Sequence, residues 1–212
     1  MEIRSPAIVC AVRPHGETAV IARFLTADHG LVAGYVAGGR GRDLRPVVIP
    51  GNRVALDLRA RSHGQLAFAK PELLESCGPW LGEPLPAAAL GWATALTAAT
   101  LPERNAYPSL YEALDALLNA ICHAPSARGW TGVLLGYEAL LLRELGYGGS
   151  LPPIERDWSM QMDAFARMGN RIERYLLADH RQDVMAARER LRARLVRIGP
   201  DSDKTTGRQT GQ

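Results

Sequence analysis

The sequence predicts an α+β protein of two domains, a small five-stranded β-barrel followed by an all-helical domain. Three observations predict it. Short apolar runs separated by turn signals crowd the first 70 residues, helical periodicity dominates after about residue 86, and a Pro/Gly-rich stretch, Gly78 to Pro86, lies between them. The boundaries expected are 1–78 for the barrel, 79–198 for the helical domain and 199–212 for a disordered tail without a hydrophobic residue.

The barrel strands are read in order as 7–12, 18–26, 31–37, 53–61 and 65–69, the last ending before Pro71. Five short strands need closure, because open edges invite pairing with other chains. Alternation is clearest in the fourth run. Val54, Leu56, Leu58 and Ala60 share one face, while Arg53, Asp57, Arg59 and Arg61 share the other, so three arginines line an exposed strand face. Helices are expected over about 86–100, 108–123, 129–145, 157–180 and 184–198. In the last, Leu191, Leu195 and Ile198 form the apolar stripe, and Arg188, Arg190, Arg192, Arg194 and Arg197 read as a solvated surface.

Composition narrows the function. The 212 residues are 47% hydrophobic, enough for a real core, and no apolar run reaches the ~18 residues of a membrane span, so a soluble protein is expected. No signal-peptide pattern follows Met1, so a cytoplasmic location is expected. Cys10, Cys77 and Cys122 are odd in number and far apart, which favours buried free thiols over disulfides or a zinc site. The net charge of +3 is concentrated: residues 40–61 hold six arginines and two aspartates. Such a local excess points to an anionic partner.

The stretch "GGRGRDLRP" (38–46) tests that idea. It lacks the Lys and Ser/Thr of a phosphate-binding loop for nucleotides, and Leu44 and Pro46 break the dinucleotide fingerprint. What it retains suits a polyanion backbone: glycines permit close approach, and Arg40, Arg42 and Arg45 supply forked donors. With Arg53, Arg59 and Arg61 they form the expected DNA-binding set. Phe24, Tyr35 and Phe68 are assigned to barrel core, so binding is expected to be electrostatic with little base stacking. No catalytic constellation is visible, and no enzymatic activity or cofactor is expected.

The ordered segment "VRPHGETAVIARFLTADHGLVAGYVAGGRGR" resembles the opening of the RecO family of bacterial recombination mediators. The match rests on the Gly16–Thr18 turn, on Thr26 with His29-Gly30, and on the glycine-arginine loop. It continues through Pro50-Gly51, "YPSLYEALDALLNAI", "YEALLLRELGYGGSL" and "AARERLRARL", covering roughly 3–150 and 170–198. The resemblance implies an oligonucleotide/oligosaccharide-binding (OB) barrel before the helical domain, and a nucleoid-associated DNA-repair protein. It further implies binding of single- and double-stranded DNA, annealing of complementary strands, and help in loading RecA together with RecR. Engagement of the acidic C-terminal tail of single-strand-binding protein is implied too, for which Arg104, Arg128 and Arg143 are the candidate contacts. Many relatives carry a cysteine-rich zinc-binding insertion after the equivalent of "ELGYGGSL". Residues 151–170 hold no cysteine, so no zinc is expected. An RNA-binding barrel and a protein adaptor without annealing activity remain as alternatives.

Overall fold

The computed structural model describes residues 2–60, 65–148, 157–178 and 183–198. Arg61 and the 199–212 tail lie outside these residues. Five strands, β1 (Glu2–His15), β2 (Ala19–Thr26), β3 (Gly30–Val36), β4 (Arg53–Arg59) and β5 (Ala67–Glu75), close a barrel in the order β1-β2-β3-β5-β4. Five helices follow: α1 (Pro84–Thr100), α2 (Pro108–His123), α3 (Ala127–Glu144), α4 (Trp158–Leu176) and α5 (Asp183–Leu195).

Closure depends on β1, which is longer than the expected 7–12. It pairs with β4 over Glu2–Ile8 and with β2 over Ile8–His15, with a bulge between Val9 and Ala11. A bulge inserts an extra residue and bends the strand, which lets one strand serve both sides of a small barrel. The other seam is the short parallel pairing of Gly34 with Ala67 and Tyr35 with Phe68. Gly34 is required where strands crowd: a Cβ there would lie 2.6 Å from Ala69 Cβ and 2.8 Å from Leu58 Cδ1.

β5 does not stop before Pro71 but runs through it to Glu75. Pro71 opposes Leu56 of β4, whereas β3 pairs only with Ala67 and Phe68. The missing N–H of a proline costs little where a strand has one neighbour. The Gly78–Pro86 stretch is likewise ordered, as a 3-10 turn (Gly78–Gly82) followed by α1 from Pro84.

The barrel interior is filled by Val9, Val20, Phe24, Val32, Val36, Val54, Leu56 and Leu58 among others. A second core joins the barrel wall to the helices: Ile8, Cys10, Leu25 and Leu31 pack outward against a cluster containing Leu90, Trp92, Leu114 and Leu134. The helical half therefore covers one part of the barrel's outer wall. Among the described residues no helix is long and apolar enough to cross a membrane.

Candidate nucleic-acid interface

The glycine-arginine segment is a folded cap, not a loose loop. Leu44, Val47 and Val48 pack against the barrel interior. The backbone winds through turns, with Gly41 N–H donating to Gly38 O and Arg45 N–H to Gly41 O, at 2.8 and 2.9 Å. Asn52, fully buried, donates through Nδ2 to the carbonyls of Pro46 and Val47 and accepts from Cys77 N–H. With the apolar residues held inward, Arg40, Arg42 and Arg45 are left exposed. Arg40 pins the cap to the β1–β2 turn: its backbone N–H donates to Thr18 O, and its Nη1 donates to Gly16 O and Glu17 O. Its other guanidinium nitrogens make no hydrogen bond among the described residues. Arg42 and Arg45 make no ion pair among the described residues.

The strand arginines differ. Arg53 is 14% exposed and faces α2, where its Nε and Nη2 donate to the side chain and backbone carbonyl of Asp115; Nη1 donates to Glu75 at 2.8 Å. Burial opposes its charge, but the hydrogen bond and attraction of Asp115 outweigh that and raise its pKa. The expectation of an exposed arginine face is corrected at this position, because a helix covers that end of β4. Arg59 is exposed and held by a two-pronged contact to Asp57 at 2.8 and 2.9 Å, with Glu2 at 3.5 Å. That hydrogen bond raises the Arg59 pKa and lowers that of Asp57.

Aromatic placement also departs from expectation. Phe24 is core, but Phe68 is 59% exposed on the outer wall, and Tyr35 is half-buried beside it. Tyr35 meets Phe68 edge-to-face at 5.4 Å and His15 at 5.8 Å between centroids. The alternation of β3 and β5 carried this signal: Val32, Gly34 and Val36 point inward, as do Ala67 and Ala69, so Tyr35 and Phe68 between them point out.

The three candidate partner-binding arginines are dispersed. Arg104 lies exposed in the α1–α2 connection, with a positive φ of 60° and its N–H donating to Leu31 O. Arg128, in the first turn of α3, lies over the Trp158 ring at 5.3 Å, and Arg143, in the last turn, sits 3.4 Å from Glu144. At 1.5 Å per residue the last two are about 22 Å apart along the helix. A groove of about 400 Å³ with a mixed lining, Trp80, Glu83, Leu85, Ile121, Ser126 and Trp130 among others, opens beside the start of α3.

All three thiols are free and buried. Arg188 is not on a solvated surface. It is 2% exposed and pairs with the fully buried Glu138 of α3, its Nη2 3.0 Å from Oε2.

Two consecutive family models match the chain: the N-terminal domain of recombination protein O over residues 1–77, and its C-terminal domain over 84–151. Among curated proteins it is similar to "DNA repair protein RecO" of Phenylobacterium zucineum (41% identical over 149 residues) and of Rhodospirillum centenum (44% over 149). The protein of the same name from Dinoroseobacter shibae is 37% identical over 149 residues. These matches cover 70% of this chain and 58–61% of the relatives' own lengths, so the chain spans about three fifths of the proteins it resembles.

Proposed function

Because the chain belongs to the RecO family, we propose that it is a non-enzymatic DNA-binding mediator of recombinational repair, with the barrel cap as its phosphate-binding surface. The supporting observation is the cap itself, where three exposed arginines stand on a backbone fixed by its own hydrogen bonds, by buried Val48 and by half-buried Leu44 and Val47. Phosphate contacts of this kind position DNA without reading its sequence. Annealing follows from the same charge, since two polyanions meet only when their repulsion is screened. Arg59 joins the surface once DNA competes with Asp57, while Arg53 acts as a clasp between barrel and helices.

In this reading residues 1–78 are the nucleic-acid-binding unit and 79–198 the partner-docking unit. The partners are single- and double-stranded DNA, RecR, the acidic tail of single-strand-binding protein and, indirectly, RecA. The groove at the start of α3 offers the apolar side chains of Trp80, Leu85, Ile121 and Trp130 to a tail terminus. Arg128, adjacent in sequence to the lining residues Ser126 and Ala127, is the cation best sited beside it.

The test is fluorescence-monitored annealing of complementary strands coated with single-strand-binding protein, without ATP. The Arg40→Ala, Arg42→Ala, Arg45→Ala triple variant is expected to slow annealing. It is also expected to reduce the salt slope of duplex binding by up to ~0.9 per lost phosphate contact, and less on single strands. An unchanged affinity and slope in the folded variant refutes the assignment.

A further inference from the structure

We infer that His15, Tyr35 and Phe68 form a stacking platform for unpaired bases, so that this barrel holds single-stranded DNA by its bases as well as by its phosphates. The inference rests on the DNA-binding reading above and adds to it a second, salt-insensitive component.

The platform is built by register. Arg13 of β1 opposes Ile21 of β2, Ile21 opposes Tyr35 of β3, Tyr35 opposes Phe68 of β5, and Phe68 opposes Arg59 of β4. One outward row thus crosses all five strands, with aromatic rings at its centre and an arginine at each end. The barrel is closed and β1 also pairs with β4, so this row curves round the wall and its two arginines stand on neighbouring strands, Arg59 opposite Glu2 at one end of β1 and Arg13 near the other. The helices cover Ile8, Cys10, Leu25 and Leu31 on the same wall, but this row lies beyond them. Arg13 is exposed and makes no ion pair among the described residues. Arg40 reaches Gly16 O and Glu17 O, next in sequence to His15, so the arginine cap adjoins the aromatic row.

Ring geometry favours bases as the occupant. Interplanar angles of 89° for His15–Tyr35 and 77° for Tyr35–Phe68 make both contacts edge-to-face. Each such contact uses one ring face at most, so at least four of the six faces are left by the rings for other partners. Phe68, exposed beside this charge, presents the sequence-tolerant π surface that unpaired bases stack on, with cations placed for the connecting phosphates. A duplex hides its base faces within its own stack and can use only the arginines.

The experiment measures anisotropy of the full chain titrated against an oligo-dT single strand and a duplex of equal length, across a salt series. Phe68→Ala is expected to weaken single-strand binding ~5-fold or more, deepening in Tyr35→Ala/Phe68→Ala, from the usual magnitude of base–aromatic stacking. Duplex affinity and both salt slopes are expected to hold within twofold, and Phe68→Trp to restore single-strand binding. Unchanged single-strand affinity in a folded Phe68→Ala protein overturns the platform. So does an equal loss on the duplex, or a loss of protein-partner binding at unchanged DNA affinity. If the Arg40/Arg42/Arg45 variant loses affinity while Phe68→Ala does not, the platform falls and the DNA-binding reading stands. If the unmodified chain binds neither nucleic acid, both fall.

Discussion

Removing Arg188 is expected to destabilise the helical half by ~3–5 kcal/mol, the usual cost of stripping a buried charge of its partner. The side chain ties α5 to α1, α3 and α4. It donates to both carboxylate oxygens of Glu138 at 3.2 and 3.0 Å and to Phe165 O at 2.8 Å, and lies over the Phe165 ring at 3.8 Å and the Trp92 ring at 5.6 Å. Trp92 Nε1 also donates to Glu138, at 2.7 Å. Arg188→Ala therefore leaves a fully buried carboxylate with one indole donor. In Arg188→Ala/Glu138→Gln neither charge remains, and part of the loss should return, giving a coupling of ~1–3 kcal/mol in the double-mutant cycle. Gly169 supplies an independent check. A Cβ at this position would lie 3.0 Å from Arg188 Cζ and closer still to Nη1, and the guanidinium is held too tightly to yield. Gly169→Ala is expected to cost ~1–3 kcal/mol alone, as overpacking does. On the Arg188→Ala background the clash is gone and only helix propensity remains, so the same change should stabilise by up to ~1 kcal/mol. Urea unfolding followed by circular dichroism reads all of these. Equal effects of Gly169→Ala on both backgrounds would refute the reasoning.

Arg53→Ala, which cuts the clasp to Asp115, is expected to lower unfolding stability by ~1–3 kcal/mol while leaving the salt slope of DNA binding unchanged; a changed slope would return Arg53 to the DNA surface. Asp57→Asn removes the closer of the two carboxylates on Arg59, leaving Glu2, and is expected to tighten DNA binding and steepen its salt dependence by up to about one phosphate contact, measured by titration at several salt concentrations. Lowering pH through the depressed Asp57 pKa acts in the same direction. Burial pushes the Cys10 and Cys122 thiols from 9.0 up to about 12. The folded chain keeps these protons where the unfolded chain loses them, so their stabilising contribution is full below about pH 9 and declines from there to pH 12. Urea midpoints are expected to fall over that window, and Cys10→Ala to reduce the slope by at most ~1.4 kcal/mol per pH unit. Ellman's reagent should count three thiols only after unfolding.

What the sequence disclosed was what local periodicity controls. α2 starts at Pro108 and ends at His123, because a proline at the first turn and an unbroken apolar stripe of Leu110, Leu114, Leu117, Leu118 and Ile121 leave no competing register. Strand order along the chain was equally legible. Strand ends were not: Pro6 and Pro71 look like terminators, yet each sits where a strand has one neighbour and its N–H would be idle. Barrel alternation also says only which side chains leave the interior. It is silent on whether solvent or a helix waits outside, which is why Arg53 and Arg59, on one strand face, end in opposite environments.

The buried ion pair and the aromatic row were both legible by a stricter use of the same periodicity. Arg188 is in step with Leu191 and Leu195 on α5, and Glu138 with Leu134 and Leu141 on α3. Opposite charges each in register with an apolar stripe predict one another, since neither can be buried alone. In the barrel, the residues flanking Tyr35 and Phe68 are small or β-branched and point inward, which forces both rings outward whatever their hydrophobicity. Assigning them to the core counted their chemistry and ignored their parity. This barrel fills with Ile, Val, Ala, Leu and a single Phe, and the two further rings stand outside. Their place on the wall between Arg13 and Arg59 is thus a consequence of strand register, and it is the reason single strands and duplexes should be held differently.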